Sequence, residues 1–573
     1  MRRKFVQSSS SKEYDSGKLP KQKGPVCSTN TSLESGLCSI EFYMAAKDPF
    51  RVAPGDKIPV PWPYVSRKPS VVAREIADNL RQDCEGVLAA FDIKLRDFRV
   101  WGLAPTRDHQ ARDTLILNTD GEDPQSWKEA ATIIQKMLND ATSRRASGVE
   151  IRVEIRNNTL MYQDISSIIE PNSLAHKVFM EVENTVTEQV MKSCPGQWRA
   201  ISYHMRGVPF RKDPQPTIMI RISPGTHNYW GVIESEIMAA VEAASSFKTQ
   251  IHIEMLPGRA LPLISQDMAP AEPIIIRRIL EMPLNGASIG ARGATEAGTL
   301  GAWVEFRPPG NAKKERCFLT CYQVISPGDT ANKDFNDQHG IGLEGRQIKV
   351  PIRVDYPAPF DATTTKNYLQ LEITQGDDKD GRRALAINGI NKHISAGGIG
   401  FVIHASGRFR QNQNGRRMDW ALVRAHRSAS SQCNKPAPAT FSPGQLLNGR
   451  LEYEVATDEV ISKMSSLSEG DWVAKVGRSG TTTGEVNAMQ STVDWANGER
   501  SKEIEIAGVG SAAMRGAPFA EPGDSGSMVI NLQKEWVGML IGRLSGEDFG
   551  LVTSTRELMD DITAKTGGTI SLV

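Results

Sequence analysis

The sequence has no excess of either charge, no long apolar run and no cluster of cysteine with histidine. Its 573 residues include 68 lysines and arginines against 67 aspartates and glutamates, a net charge of +1. No broad basic surface for nucleic acid or anionic lipid is therefore expected. No run of about 18 apolar residues is present, so the sequence predicts no transmembrane helix and no membrane partner. The nine histidines and seven cysteines lack the spacing of a zinc site. Neither a metal nor another cofactor is predicted.

The first residues lack the apolar segment of a secretory signal. Lysine and serine are frequent there, and the composition predicts a disordered tail over residues 1–40. The seven cysteines, an odd number spread thinly along the chain, are typical of reduced thiols. These features predict a cytoplasmic or nuclear protein that is not secreted, and they leave the oligomeric state open.

Two stretches of the first half, residues 98–155 and 198–255, resemble copies of one unit. Thr114 and Thr217 are 103 residues apart, as are Trp127 and Trp230, whereas the first strands FRVWG and WRAIS align at an offset of 100. Each copy reads strand, strand, helix, strand, with another helix before it. We expect a duplicated α+β region, with units over residues 65–165 and 166–270. Because neither unit contains a phosphate-binding loop or a ligand cluster, we expect a binding or regulatory role, with a purely structural spacer as the alternative.

From about residue 284, short strands separated by glycine- and proline-rich turns replace this pattern. The segments GAWVEFRP, RCFLTCYQVI, NYLQLEIT, GGIGFVIHA, MDWALVRA, DWVAKVGR, KEIEIAG, GSMVIN and WVGMLIGRL all read as strands. Only STRELMDDITAKTG, near the end, reads as a helix. The sequence therefore predicts an all-β barrel or sandwich over residues 284–573.

Several segments of this region resemble the trypsin- and chymotrypsin-like serine peptidases. They are GTLGAWVEF with CFLTCYQVI, then MDWALV, VGRSGTTTGEV and PGDSGS, in the chain order of that family. The resemblance covers residues 284–573 and implies a chymotrypsin-like double β-barrel. It does not extend to the two α+β units.

The resemblance also implies roles for individual residues. Ser525, in the GDSG tetrapeptide, corresponds to the nucleophile, since a hydroxyl on a tight glycine-flanked turn can approach a carbonyl. The N–H groups of Gly523 and Ser525 correspond to the oxyanion hole. Asp419 corresponds to the acid that orients the base, and Phe519 falls at the floor of the specificity pocket, which implies an apolar pocket. Asp524 is expected to hold the turn through an ion pair, but the sequence does not identify its partner.

The general base of this family is missing from its position. The family has histidine at the end of the strand LTxxH, and this chain has LTCYQ, which places Gln323 there. A glutamine amide has no nitrogen that is basic near neutral pH. Loss of the histidine from a comparable triad costs on the order of 10⁶-fold in turnover. His339 is the best-placed substitute. His393, His404 and His426 lie on or beside predicted strands and are interpreted as structural.

Three functions remain open at this point. The first is a trypsin-like serine peptidase homologue with impaired or absent proteolysis, which binds a peptide or protein ligand as a binding or regulatory module. The second is an active serine endopeptidase with nucleophile Ser525, acid Asp419 and a relocated base. The third is a resting hydrolase whose site is completed by a partner docked on the α+β units. Gln323 favours the first, whereas the intact PGDSGS segment favours the second.

Overall fold

The computed structural model describes residues 36–54, 64–105, 111–145, 148–161, 165–207, 214–247, 249–262, 283–343, 348–376, 378, 380–426, 432–435, 439–440, 454–455, 460–495, 499–508, 518–545 and 548–573. It is a multidomain structure of helices and several sheets, one of which curls into a half-barrel. In the described ranges, no helix combines the length and the apolar character needed to cross a membrane.

The elements are numbered in chain order. The helices are α1 Ile40–Lys47, α2 Val71–Asn79, α3 Arg81–Ala90, α4 Trp127–Arg145, α5 Leu174–Ser193, α6 Trp230–Ala244, α7 Tyr322–Ile325, α8 Lys333–His339, α9 Pro359–Thr374, α10 Arg382–Ser395 and α11 Thr555–Thr566. The strands of the first half are β1 Cys38–Ser39, β2 Arg51–Val52, β3 Tyr64–Arg67, β4 Leu95–Pro105, β5 Arg112–Thr119, β6 Ile151–Arg156, β7 Ile165–Ser167, β8 Trp198–Gly207, β9 Gln215–Ile222, β10 His227–Asn228, β11 His252–Pro257 and β12 Ala260–Pro262.

The strands of the second half follow in the same numbering. They are β13 Ser288–Ala291, β14 Gly298–Thr299, β15 Trp303–Arg307, β16 Glu315–Thr320, β17 Arg353–Asp355, β18 Gly400–Ala405, β19 Ala421–Ala425, β20 Ala439–Thr440, β21 Glu454–Val455, β22 Trp472–Gly477, β23 Gly480–Val486, β24 Ser491–Asp494, β25 Arg500–Gly508, β26 Met528–Asn531, β27 Trp536–Leu544, β28 Phe549–Ser554 and β29 Thr569–Leu572. A 3₁₀ helix spans Ser326–Asn332.

The first α+β unit is a five-stranded sheet, in the order β2-β6-β5-β4-β3, with helices α2, α3 and α4 packed against it. Helix α4 buries Trp127, Ala130, Ala131, Ile134 and Leu138, which recur at the spacing of one helix face. That face and the inner sides of β5 and β6 form a continuous apolar core. Strand β2 is held at the sheet edge by a buried ion pair between Arg51 and Glu154, with Nη2 and Oε2 2.9 Å apart.

The second α+β unit has the same order of strands and the same pairing directions. Its β8 and β9 are antiparallel and its β9 and β11 are parallel, as β4, β5 and β6 are in the first unit. Trp101 pairs with Thr114, and His204 pairs with Thr217, so both members are displaced by 103 residues (204 − 101 and 217 − 114). The strand register therefore relates β4 to β8 by an offset of 103 residues. The alignment of their sequences predicts an offset of 100 residues. A duplication of the chain stays a prediction.

Residues 36–40, the end of the predicted tail, are ordered parts of the second unit. β1 pairs with β10, and Ile40 is fully buried in the core of that unit. The remainder of the predicted tail, residues 1–35, lies outside the described residues.

The second unit and the C-terminal region share one sheet. A twelve-stranded sheet runs from β11 through β9 and β8 into β24 and β25 of the C-terminal region. Strand β8 pairs with β24, and the buried His204 Nε2 lies 3.0 Å from Glu505 Oε2 on β25. Asn487 Nδ2 also donates to the Tyr203 carbonyl at 3.0 Å. One continuous sheet therefore spans the boundary that we predict at about residue 270, between the second unit and the C-terminal region.

The C-terminal region consists mainly of strands, in the twelve-stranded sheet and in an eight-stranded sheet of the order β14-β13-β17-β18-β19-β16-β15-β29. It also contains helices α8, α9 and α10, so the prediction of an all-β region with one late helix is wrong in this part. The segment NYLQLEIT, predicted as a strand, lies in α9. Its alternating apolar residues resemble a strand pattern, but only Leu369 of this segment is buried, against α10.

Candidate active site

Gln323 and Asp419 lie close together, at the ends of two neighbouring strands of the eight-stranded sheet. β16 and β19 are antiparallel, with Thr320 opposite Ala421. Gln323 follows the end of β16, in the short helix α7, and Asp419 precedes the start of β19. The two residues therefore meet at the same edge of the sheet, where the Gln323 N–H donates to Asp419 Oδ1 at 3.2 Å.

Ser525 comes from the other sheet, in a turn over residues 521–527 that we name the serine turn. The turn precedes β26 and is fastened to β14 by two hydrogen bonds. The Thr299 N–H donates to the Ser525 carbonyl at 2.9 Å, and Thr299 Oγ1 donates to the Gly523 carbonyl at 2.8 Å. Gly523 has φ +94°, and a Cβ there would lie 2.7 Å from Arg478 Nη1. Only glycine fits that conformation and that space without a shift of the neighbouring side chain.

The buried carboxylate of Asp524 holds the serine turn from inside. It forms an ion pair with Lys475 Nζ on β22, and both side chains are fully buried. Asp524 Oδ1 accepts from the Ser479 N–H at 2.9 Å, while Oδ2 accepts from Ser479 Oγ at 2.6 Å and from the Glu521 N–H at 3.0 Å. Lys475 is the partner that sequence reasoning leaves unidentified. No sequence signal marks it, because the pair joins a strand residue and a turn residue that are 49 positions apart.

The Gln323 side chain reaches Ser525 as a hydrogen-bond donor. Its Nε2 donates to Ser525 Oγ at 2.6 Å and to the Ile541 carbonyl at 2.7 Å. A carbonyl oxygen can only accept, so the contact with Ile541 fixes the amide with its NH₂ group toward the serine. A group that already donates to the hydroxyl oxygen cannot take the hydroxyl proton.

Two acceptor atoms of the same site have no hydrogen-bond donor among the described residues. They are Gln323 Oε1 and Asp419 Oδ2, and both residues are buried. The nearest cation is Arg417, whose Nη2 lies 3.5 Å from Asp419 Oδ2. Burial raises the pKa of the Asp419 carboxyl, against the lowering effect of Arg417 and of the Gln323 and Tyr322 N–H groups. A buried acceptor without a hydrogen-bond donor costs about 1–3 kcal/mol, and the ion pair with Arg417 offsets part of that cost at Asp419 Oδ2.

The histidines considered as substitute bases make their described contacts elsewhere. His339 is exposed at the end of α8 and packs against the Phe335 ring, with centroids 4.5 Å apart. His404 lies 2.8 Å from the Gly342 carbonyl through Nδ1, and burial lowers the pKa of its imidazole. The rings of His393 and His426 pack against Tyr356 and Phe401. Tyr322, beside Gln323, donates its hydroxyl to Asp337 Oδ1 at 2.6 Å.

The side chain of Phe519, the predicted floor of the specificity pocket, lies in the core of the C-terminal region. Its side chain is fully buried in an apolar cluster with Val486, Ile506 and Leu540. A Cβ on Gly550 would lie 2.7 Å from Phe519 Cδ1. The ring thus fills the space between β23 and β28. The role of Phe519 as the floor of a specificity pocket stays a prediction.

A second buried ion pair lies beside the serine turn and is not predicted from the sequence. Arg478, next to Gly523, donates through Nε to Asp361 Oδ2 at 2.5 Å. Ser288 Oγ donates to the same oxygen at 2.5 Å. Asp361 is in the first turn of α9, so this helix is anchored next to the predicted oxyanion hole. In the described part of the chain, no three His, Cys, Asp or Glu side chains lie together as metal ligands.

Comparison with known proteins relates the chain to one class of solved structures. No protein-family model and no curated protein matches it. The chain is similar to protease A of Thermobifida fusca (13% identity, TM-score 0.26, 51% of this chain and 98% of that chain). It is also similar to a glutamic-acid-specific serine protease (14%, 0.26, 50% and 100%) and to the chymotrypsin of Cellulomonas bogoriensis (13%, 0.25, 51% and 97%). Its structural neighbours are thus trypsin- and chymotrypsin-like serine proteases, which cover about half the chain at low identity.

Proposed function

We propose that residues 284–573 form a trypsin-like serine peptidase homologue whose proteolysis is impaired or absent, and which binds a peptide or protein ligand. The observation that supports this most is the hydrogen bond from Gln323 Nε2 to Ser525 Oγ. It places an amide donor at the atom where a peptidase needs a base. In this proposal Ser525 is the nucleophile position, Asp419 the acid position and Gln323 the replaced base.

The surroundings of Ser525 support a retained peptidase scaffold. The serine turn has a left-handed glycine at residue 523, a buried carboxylate with a buried lysine partner, and hydrogen bonds to the other sheet. We assign the predicted oxyanion donors, the N–H groups of Gly523 and Ser525, to this turn. Such donors are worth about 3–4 kcal/mol each where they stabilise a developing oxyanion. A turn built this way without a base binds a carbonyl group but hydrolyses it poorly.

The alternative is an active endopeptidase with a relocated base, and covalent labelling separates the two. We would treat the unaltered protein, Gln323→His and the double variant Gln323→His/Ser525→Ala with a fluorophosphonate and locate the adduct by mass spectrometry. The proposal predicts labelling of Gln323→His at Ser525, little or no labelling of the unaltered protein, and none of the double variant Gln323→His/Ser525→Ala. Full labelling of the unaltered protein at Ser525 would establish an active serine and overturn the proposal.

We further propose that the protein works in a reducing compartment, the cytoplasm or the nucleus. The described cysteines are free thiols. Burial raises the pKa of the Cys84, Cys194 and Cys317 thiols to about 12, which leaves them protonated and unreactive at neutral pH. Equal thermal stability with and without a reductant is the expected result. A lower stability in the reductant would indicate a disulfide and contradict this assignment.

A further inference from the structure

A short strand near the C-terminal end of the second α+β unit lies beside the candidate active site. β12 pairs antiparallel with β27, with Leu261 opposite Arg543 and Pro262 opposite Gly542. On its other side, β27 pairs at the same two residues with β28. β12 therefore occupies the side of β27 that β26 occupies nearer the start of that strand.

Along this side of β27, β12 follows directly after the candidate active site. The serine turn contacts Leu540, whose carbonyl accepts the Gly526 N–H at 2.9 Å. Gln323 contacts the next carbonyl, that of Ile541, and β12 begins its pairing at Gly542. Because β12 is antiparallel to β27, its chain direction from residue 260 to 262 runs toward Ile541 and hence toward Ser525.

The second α+β unit holds this strand in place. β11 leads directly into it, and the Gly258 N–H donates to the Ile222 carbonyl at 2.8 Å. Arg259 then makes two hydrogen bonds with Ser545: its N–H donates to Ser545 Oγ at 2.8 Å, and its carbonyl accepts the Ser545 N–H at 3.0 Å. A Cβ on Gly258 would lie 2.9 Å from Ser545 Oγ, so the approach is close. The strand is therefore fixed at its start by both parts of the molecule.

An exposed strand edge binds extended peptides through main-chain hydrogen bonds, with side-chain pockets that set specificity. The edge of β27 at residues 542–544 is the stretch that would guide a peptide past the Ser525 hydroxyl. In this protein β12 already takes that place. Ala260 and Leu261 are both partly buried there, so the edge accepts small and apolar side chains.

We propose that β12 is an internal ligand of this edge, which must leave before an extended apolar peptide can bind beside Ser525. This inference rests on the proposed function of peptide binding. Its consequence is autoinhibition, since the linked segment competes with any free peptide at an effective concentration in the millimolar range. The second α+β unit then has a defined role, to hold the internal ligand at the edge of β27.

The test is the affinity for a fluorescent peptide with the sequence of residues 258–264, GRALPLI. We would measure fluorescence anisotropy with the unaltered protein and with a variant in which residues 260–262 are replaced by Gly-Ser-Gly. We expect the Kd of the variant to be at least about tenfold lower, because the edge is freed. The matched control replaces residues 569–571 of β29 by Gly-Ser-Gly, which removes antiparallel pairing at an edge of the other sheet, and it should bind as weakly as the unaltered protein.

A second, milder variant covers the case in which the replaced strand disturbs folding. Ser545→Ala removes the hydroxyl that accepts the Arg259 N–H, and we expect a smaller decrease in Kd in the same direction. Equal Kd values in the unaltered protein and both β12 variants would overturn the internal ligand and leave the peptide-binding function standing. Absence of binding by all of them, with each variant folded, would overturn the peptide-binding function as well.

Discussion

The candidate site has two parts: the serine turn, and the base position formed by Gln323 and Asp419. They differ in how completely hydrogen bonds satisfy their buried polar groups. In the serine turn, both oxygens of the Asp524 carboxylate accept hydrogen bonds, and its charge is balanced by Lys475. At the base position, Gln323 Oε1 and Asp419 Oδ2 have no hydrogen-bond donor among the described residues, although Arg417 Nη2 lies 3.5 Å from Asp419 Oδ2.

This difference indicates which part of the scaffold is adapted to its present side chains. A buried acceptor without a donor is costly, so a side chain with an N–H directed at Asp419 would fit the base position better than the glutamine does. A histidine has one ring nitrogen to donate and another to accept, and can serve an acid and a hydroxyl at once. The serine turn needs no such change. Under the proposed function, the loss of the general base is therefore confined to one residue, Gln323.

The largest effect is expected from a substitution that breaks a buried contact of the serine turn, whose polar groups are satisfied. Lys475→Met removes the cation from a fully buried pair and leaves the Asp524 carboxylate unpaired. We expect the free energy of unfolding to fall by about 3–5 kcal/mol, measured by denaturant unfolding. The control is Lys314→Met, which breaks a half-exposed pair with Glu305 and should cost less than about 1 kcal/mol. A cost for Lys475→Met as small as that of the control would show that the ion pair does not hold the turn.

A smaller effect is expected where the serine turn meets the other sheet. Thr299→Val removes the hydroxyl that donates to the Gly523 carbonyl and accepts the Arg478 N–H at 3.0 Å. Both partners are buried, so we expect a loss of about 1–3 kcal/mol, again from unfolding curves. Thr363→Val, on an exposed position of α9, serves as the matched control and should change little. A neutral Thr299→Val would mean that the turn keeps its shape without this contact.

The smallest effect, an increase in stability instead of a loss, is expected from a substitution at the base position. Because the pKa of Asp419 is raised in the folded protein, this carboxyl stabilises the fold below its unfolded pKa of 3.8 and loses that contribution as the pH rises through its folded pKa. Asp419→Asn removes the titration, so its stability relative to the unaltered protein should increase with pH. At neutral pH we expect a difference within about 1 kcal/mol in favour of the variant.

Thermal unfolding at pH 4, 6 and 8 measures this trend. If the stability of the unaltered protein instead rises relative to that of the variant as the pH increases, the fold stabilises the Asp419 carboxylate. The interpretation that the buried acceptors of the base position are unsatisfied would then be wrong. Glu499→Gln is the matched control, since burial also raises the pKa of that carboxyl, but at a less buried position. It should show the same trend, reduced in size.

The resemblance to the trypsin- and chymotrypsin-like serine peptidases locates Ser525, Gln323 and Asp419 in the sequence, and the structure brings these three residues together. Each of them lies in a short segment that can be matched to the family without knowledge of the tertiary structure. Lys475, Arg478 and Asp361 do not emerge from the sequence, because their pairing depends on which strands and helices become neighbours. The position of β12 could not be predicted for the same reason, since Ala260–Pro262 has no pattern of its own and lies beside the candidate active site through its pairing with β27.

The helices α9 and α10 and the ring of Phe519 show a second limit of prediction from the sequence. In α9 the apolar residues follow no clear helix face, so alternation in NYLQLEIT reads as a strand although the segment packs on α10. Phe519 has the sequence position of a pocket floor, but the direction of its ring depends on the glycines at 484 and 550, which leave room for it in the core. Position along the chain does not determine that direction.

The most direct test of the central claim is the rate of fluorophosphonate labelling at Ser525 as a function of pH. Gln323→His should label at least about 10³-fold faster than the unaltered protein, and its rate should rise through a pKa near 6.5, that of an ordinary histidine. The unaltered protein should label slowly, with no such rise. A rate in the unaltered protein that equals that of Gln323→His and titrates near neutral pH would show that another base serves Ser525, and would contradict the account.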